Sequence, residues 1–273
     1  MTDGPAAPAE MTIEVEALSH AGTERDHNED AAGLVLERAT RAVVAVADGV
    51  SGQEGGEVAS RLAIEVLLRA FAEAPERLGA AERLYRAVQR ANIEIYDRSI
   101  AVPELRGMAT TLTAVVVDAG AATVVHVGDS RLYLLRGGNL TQLTRDHTVA
   151  AEKARYGLMS KGKARVHVDR GALTRSVGRE LIVSRDRATH RLLDGDALLL
   201  CSDGLYNVLD DAELERTVRG RDPARACRAL VEAANARGTP DNLTAAVVRV
   251  TGTGPAPVRP AGLAARVRRL LGR

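Results

Sequence analysis

The sequence predicts an α+β fold in which β-sheets pack on each other and helices cover them. Three observations carry this expectation. Five segments cluster β-branched residues between turn signals: Arg41 to Ala47, Leu112 to Val117, Thr123 to Val127, Ala197 to Cys201 and Ala245 to Val250. Two long helical patterns follow one another between the first and second of these segments. The order of strands, helix pair, strands and late helix lacks the regular alternation that a doubly wound sheet requires.

In chain order, the first helical stripe is Ala59, Leu62, Ala63, Val66, Leu67, Ala70 and Phe71, and the second is Leu84, Val88, Ala91 and Ile95. Both repeat at the three- and four-residue spacing of a helix face. Ala150 to Asp169 predicts a short helix followed by a mobile segment, basic through Lys153, Arg155, Lys161, Lys163 and Arg165; it serves either as a solvated loop or as a substrate-facing flap (150–169). A late helix spans Pro223 to Ala236, with proline early, Gly238 beyond its end, and Cys227, Leu230, Val231 and Ala234 on one face.

Composition narrows the class. A chain of 273 residues is within reach of one large domain. Its 37 basic and 36 acidic residues leave a formal charge of +1, which offers no general field for nucleic acid. Aromatics make up only 2%, with no tryptophan, so bases would find no stacking platform. Cys201 and Cys227 are the only cysteines and read as buried thiols of a reducing cytoplasm, which excludes a cysteine zinc cage. No secretory signal and no spanning run stands out, so a cytoplasmic protein without membrane insertion is expected.

The chemical signal is an apolar strand running straight into an aspartate, three times over: Ala45-Val46-Ala47-Asp48-Gly49, Val125-His126-Val127-Gly128-Asp129 and Leu199-Leu200-Cys201-Ser202-Asp203-Gly204. One Asp-Gly after a strand is an ordinary turn. Three of them at neighbouring strand ends would crowd carboxylates that repel unless cations neutralise them. Asp241, just before the last strand, and Glu29-Asp30, near the start, add further acids. No two of the six histidines share a helix at metal-ligand spacing, so oxygen ligation by magnesium or manganese is expected rather than a histidine zinc site. Gly52, Gly55 and Gly56 precede the first helix but match neither the dinucleotide nor the Walker pattern, and the Gly-x-Ser-x-Gly nucleophile motif is absent.

Read with these residues, the chain resembles the metal-dependent protein phosphatases of type 2C, bacterial members especially, from about Glu16 to Val250. The matching motifs run in order: Arg25-Asp26-His27-Asn28-Glu29-Asp30, Asp48-Gly49-Val50-Ser51-Gly52, Gly56-Glu57-Val58-Ala59-Ser60, Gly107-Met108-Ala109-Thr110-Thr111, Gly128-Asp129-Ser130-Arg131, Thr144-Arg145-Asp146-His147, Leu173-Thr174-Arg175, Ser202-Asp203-Gly204 and Asp241-Asn242.

The resemblance implies an antiparallel β-sandwich flanked by helix pairs, four layers in the order α-β-β-α, spanning 13–251 between a disordered 1–12 and a basic Gly/Pro/Arg-rich tail, 252–273. It implies two or three manganese or magnesium ions. Asp48 bridges two of them, the Gly49 carbonyl completes one, and Asp203 and Asp241 hold the other. Asp129 serves a third site with Asp203, while Asp30 organises bound waters with Glu29 beside it or in its place. Arg25 grips the phosphate.

The implied reaction is hydrolysis of phosphoserine and phosphothreonine in proteins by a metal-bridging water, opposing a serine/threonine kinase in a bacterial cell, by a monomer. Val50 stands where animal relatives carry a histidine proposed as general acid, and Ser51, Gln53 and Ala109 also depart from the common pattern. An alternative from another class is a catalytically silent regulatory module that docks a partner. The arginine-rich tail admits either solvated disorder or weak attraction to anionic lipid or an acidic partner.

Overall fold

The computed structural model describes residues 11–50 and 55–252. Expectations placed on residues 1–10, on Ser51, Gly52 and Gln53, and on the basic tail beyond Gly252 lie outside the described residues.

In chain order the strands are β1 (Thr12–His20), β2 (Asp30–Arg38), β3 (Arg41–Asp48), β4 (Leu112–Asp118), β5 (Ala121–Val127), β6 (Arg131–Arg136), β7 (Asn139–Gln142), β8 (Asp186–Arg191), β9 (Ala197–Cys201) and β10 (Leu243–Thr251). They form two antiparallel sheets, ordered β1-β10-β9-β6-β7 and β2-β3-β4-β5-β8. The helices are α1 (Gly56–Glu73), α2 (Ala80–Ala101), α3 (Val149–Arg155), α4 (Lys161–Arg165), α5 (Asp203–Tyr206), α6 (Asp211–Val218) and α7 (Pro223–Asn235).

Three apolar layers hold the sandwich together. Val44, Val46, Val115, Leu198, Leu200 and Val248 fill the space between the sheets. On the outer face of the second sheet, Val43, Val116 and Val125 pack against Leu67 and Phe71 of α1 and Leu84 and Val88 of α2. Leu199 and Val247 pack under Leu214 of α6 and Leu230 of α7. The central strands thus bury both faces, and six consecutive residues of β3 are fully buried, which explains their unbroken apolar runs. Every strand expected from its β-branched content is present, with bounds that agree to within three residues, and the three helical stripes face the core. The architecture is the expected α-β-β-α sandwich.

Some elements differ from expectation. β1, β2, β6, β7 and β8 lie outside the five expected segments. Beyond α3, the segment expected to be mobile contains α4 and a 3₁₀ turn at Val168–Gly171. Ser160 Oγ accepts from the Lys163 amide at 3.3 Å to start α4, and His167 Nδ1 accepts from the Asp169 amide at 3.1 Å to start the turn. Among the described residues no helix is long and apolar enough to cross a membrane.

Antiparallel pairing fixes where the acids emerge. β3 and β5 both pair with β4, so they run the same way and finish at one end of the sandwich, where β2 also begins. β9 ends and β10 begins together in the facing sheet, and residues 21–29 cross from β1 to β2 between the two sheets.

Candidate metal centre and active site

Asp48 closes β3, directly opposite Asp30 across the β2–β3 ladder. Its backbone is held on both sides. The Asp48 amide donates to Thr111 Oγ1 at 2.9 Å, while its carbonyl accepts from the Thr111 amide and Thr110 Oγ1, both at 2.8 Å. The Gly49 amide donates to the Glu29 carbonyl at 3.0 Å. A side chain at residue 49 would place Cβ 2.4 Å from the Gly56 carbonyl oxygen, so only glycine lets the chain leave β3 this close to α1.

Asp129 follows β5 through Gly128, whose φ of 107° turns the chain. The Tyr206 hydroxyl donates to the Asp129 carbonyl at 3.1 Å, and the Arg131 guanidinium stacks on the Tyr206 ring at 3.5 Å while forking onto Asp146, the shortest contact 2.7 Å. His147 braces the same turn: its Nδ1 accepts from the Gly128 amide at 3.1 Å, and its own amide donates to the Gly128 carbonyl at 2.8 Å.

Asp203 begins α5, and its Oδ2 accepts from Asn207 at 3.0 Å. A Cβ at Gly204 would stand 2.0 Å from the Asn242 carbonyl oxygen, so this glycine permits the close approach of α5 to the segment bearing Asp241. Asn242 ties that segment to the 21–29 crossing: its Nδ2 donates to the carbonyls of Ala21 at 2.8 Å and His27 at 2.9 Å, and its Oδ1 accepts from the Glu29 amide at 2.9 Å. Ser202 Oγ donates to Asp30 Oδ2 at 2.6 Å, bridging the two sheets.

The acids act on one another. Burial, and then the charges of Asp30, Asp203, Asp129 and Asp241, push the Asp48 carboxyl well above its ordinary range. Burial raises Asp30 to about 7, with Asp203 and Asp241 adding to it against the hydrogen bonds of Ser202 and Thr244. Burial and Asp241 raise Asp203 to about 6, and burial and Asp203 raise Asp129 well above normal. Five aspartates from five separate stretches of chain therefore share one field.

Among the described residues, no three His, Cys, Asp or Glu side chains stand in a finished coordination cage. The donor set still fits hard divalent cations, because every group is an oxygen and the cluster is short of positive charge. Arg131, the buried arginine of this region, is already spent on Asp146.

Glu29 and Arg25 each have partners of their own. Glu29 points its carboxylate at the start of α1, where Oε1 lies 3.0 Å from the place a Cβ at Gly56 would occupy. Arg25 reaches the cleft, but its guanidinium rests on Asp241 Oδ1 at 3.1 Å and on the Pro240 carbonyl at 3.0 Å. Val50 presents no proton donor, and its amide is taken by the Ala109 carbonyl at 3.0 Å. Ser202, Asn242, Tyr206 and His147 are supporting residues whose roles the sequence left unassigned. His126 is a satisfied core group, 1% exposed, with Thr113 on one ring nitrogen and the Arg145 carbonyl on the other. Cys201 and Cys227 are buried free thiols.

Comparison with known proteins agrees with this geometry. The family model described as protein phosphatase 2C matches residues 19–247. The serine/threonine phosphatase stp of Listeria monocytogenes is 36% identical over 231 residues, covering 83% of this chain and 92% of its own. The crystal structure of the Mycobacterium tuberculosis serine/threonine phosphatase PstP/Ppp superposes with a TM-score of 0.79 at 33% identity, covering 87% of this chain and 98% of that one. A structure of the PstP catalytic domain in complex with two manganese ions gives 0.77 at 32% identity, with 88% and 99% covered. The chain belongs to the protein phosphatase 2C family and is a protein serine/threonine phosphatase.

Proposed function

We propose that this phosphatase hydrolyses phosphoserine and phosphothreonine with the help of two or three divalent cations, manganese or magnesium, held at the aspartate cluster, and that it reverses the action of a serine/threonine kinase. The observation that carries this reading is the meeting of Asp30, Asp48, Asp129, Asp203 and Asp241 at one end of the sandwich, where burial and the charges of Asp203 and Asp241 hold the carboxyls of Asp30 and Asp48 above their ordinary range. Asp48 and the Gly49 carbonyl would hold one ion, Asp203 and Asp241 with Asp48 a second, and Asp129 with Asp203 a third. Asp30 and Glu29 would orient the surrounding waters. When bound, the cations supply positive charge and a water whose pKa falls towards neutrality.

The chain's own residues do the rest. Ser202 fixes the rotamer of Asp30, the paired threonines Thr110 and Thr111 fix the backbone of Asp48, and Tyr206 with His147 fixes the turn at Asp129. Arg25 turns from Asp241 to the substrate phosphate, where a planar guanidinium forms two parallel charge-assisted bonds. Val50 offers no proton, so the leaving serine or threonine oxygen takes its proton from water.

The catalytic unit is assigned to 13–251, with 150–169 as its flap, working as a cytoplasmic monomer on phosphorylated proteins. The test is phosphate release by the purified protein with manganese, from a phosphothreonine peptide and from an aryl phosphate. Turnover abolished by Asp203→Asn supports the assignment. No release in either assay, with Asp203→Asn leaving the protein's behaviour unchanged, overturns it.

A further inference from the structure

We propose that Tyr206 is a positioning residue, a strut between Asp129 and Asp203 that sets how tightly the third cation is held. This rests on the phosphatase reading and names the side chain that tunes one of its metal sites.

Strand register is the first argument. β6 and β9 pair antiparallel, with Arg131 opposite Cys201 as the last partners of the ladder. Continuing that register by two positions would set Asp129 opposite Asp203. The ladder stops before it reaches them, where Asp203 opens α5 and Gly128, at a φ of 107°, turns the chain ahead of Asp129. The sheet thus brings the two carboxylates to one level without holding them there, and as like charges they push their segments apart.

The second argument is the link that takes over from the ladder. α5 is a single turn, so Asp203 and Tyr206 stand three residues apart on one face of it. The Tyr206 hydroxyl donates to the Asp129 carbonyl at 3.1 Å, joining the helix that carries one acid to the main chain of the other. The spacing of the two carboxylates therefore depends on the reach of one phenol.

Rigidity is the third. Arg131 lies over the Tyr206 ring, its guanidinium carbon 3.5 Å from the ring centre. Its Nε and Nη2 donate to Asp146 at 3.0 and 2.7 Å, and its Nη1 donates to the Tyr133 hydroxyl at 2.9 Å. With all three nitrogens engaged, the guanidinium plane is fixed, and so is the ring stacked on it.

The other two ions are supported differently. Asp48 hangs on Thr110 and Thr111, and α5 is kept against the Asp241 segment by Thr239 Oγ1 donating to the Gly204 carbonyl at 3.3 Å. Loss of the strut therefore frees Asp129 and leaves Asp203 with Asp241. The third cation, which has Asp129 to itself and shares Asp203, is the weakest held and the one affected.

The test is manganese titration of the full-length protein, followed by electron paramagnetic resonance of the unbound ion. Tyr206→Phe keeps the ring on Arg131 and removes only the hydroxyl. The expected result is a Kd about fivefold higher at the weakest site, equivalent to about 1 kcal/mol, with the two tighter sites unchanged. Arg131→Lys, which keeps a charge beside Asp146 and removes the flat surface under the ring, should weaken the same site about threefold. A merely structural hydrogen bond would lower the melting temperature without separating one site from the others. Unchanged affinities in Tyr206→Phe, or equal weakening at every site, overturns the strut while the phosphatase reading stands. Wild-type protein that binds two ions and no third also overturns it and leaves a two-ion phosphatase. Wild-type protein that binds no manganese would instead strike the phosphatase reading.

Discussion

The Arg25 guanidinium and the Asp241 carboxylate stand 3.1 Å apart, pairing the expected phosphate grip with an expected metal ligand. Both side chains keep more than a third of their exposure, 40% and 36%, so water screens the pair and it contributes no more than about 1 kcal/mol. A two-pronged arginine–phosphate contact is worth about 1.5–3 kcal/mol, enough to draw Arg25 away once substrate enters. Arg25→Ala is expected to lower kcat/KM for phosphopeptide about 10- to 100-fold, and Arg25→Lys to recover only part of it. Steady-state kinetics of the two variants checks this, and an unaltered Arg25→Ala would remove Arg25 from phosphate binding.

Asn242 joins β10 to the crossing that carries Arg25 and Glu29, through three hydrogen bonds from a side chain that is almost wholly buried. Asn242→Ala leaves an amide and two carbonyls without this partner, at a cost of about 2 kcal/mol. The melting temperature should fall by about 4–8 °C, and KM for phosphopeptide should rise more than kcat falls, since Arg25 loses its support. Thermal denaturation and kinetics measured on one preparation separate the two effects.

Gly204→Ala should be more damaging to the metal centre than to the core. The added methyl carbon would meet the Asn242 carbonyl oxygen at 2.0 Å, forcing α5 and Asp203 away from Asp241. Calorimetric titration with manganese is expected to show affinity reduced at least about tenfold, the equivalent of about 1.4 kcal/mol. Wild-type affinity in a folded Gly204→Ala protein would contradict this picture of the site.

Crowded aspartates destabilise the protein when nothing neutralises them. Asp48→Asn is expected to raise the melting temperature of the metal-free protein, by a free energy on the order of 1–3 kcal/mol, while abolishing turnover. Manganese should stabilise the wild type and have little effect on the variant. Differential scanning fluorimetry with and without manganese provides all four values.

Acid should act through His126. Burial, reinforced by the neighbouring His147 ring at 4.7 Å, lowers its pKa to about 4. An unfolded histidine binds its proton near 6.5, so the unfolded chain takes up protons first as pH falls from about 6.5 to about 4, and stability drops across that window. The histidine contributes about 3 kcal/mol at pH 7 that is absent below pH 4. His126→Gln should therefore narrow its stability gap to wild type as urea unfolding is moved from pH 7 to pH 4.5.

Much of this molecule was legible because burial on both faces leaves a mark in the chain. β3, β4, β5, β9 and β10 are apolar runs for that reason, and three of them lead into Asp48, Asp129 and Asp203. β1 was hidden because Glu14 and Glu16 alternate with inward residues, and β8, Asp-Arg-Ala-Thr-His-Arg, because it lies at a sheet edge with polar side chains. The acids could be listed from local pattern, but their supports could not. Ser202 meets Asp30 across 172 positions and Asn242 meets Glu29 across 213, partnerships that exist only after the sheets have stacked. The resting place of Arg25 on Asp241 was hidden for the same reason.

Because Asp30 and Asp48 ride on one sheet while Asp203 and Asp241 ride on the other, the spacing of the reactive groups is a measure of how the two slabs are seated. Val44, Val115, Leu198 and Val248, buried between the two sheets, act as the shims that set this spacing. A change of one methylene among them would be transmitted to the cleft as a misfit between halves of a mould, so catalytic rate becomes a gauge of interior carpentry.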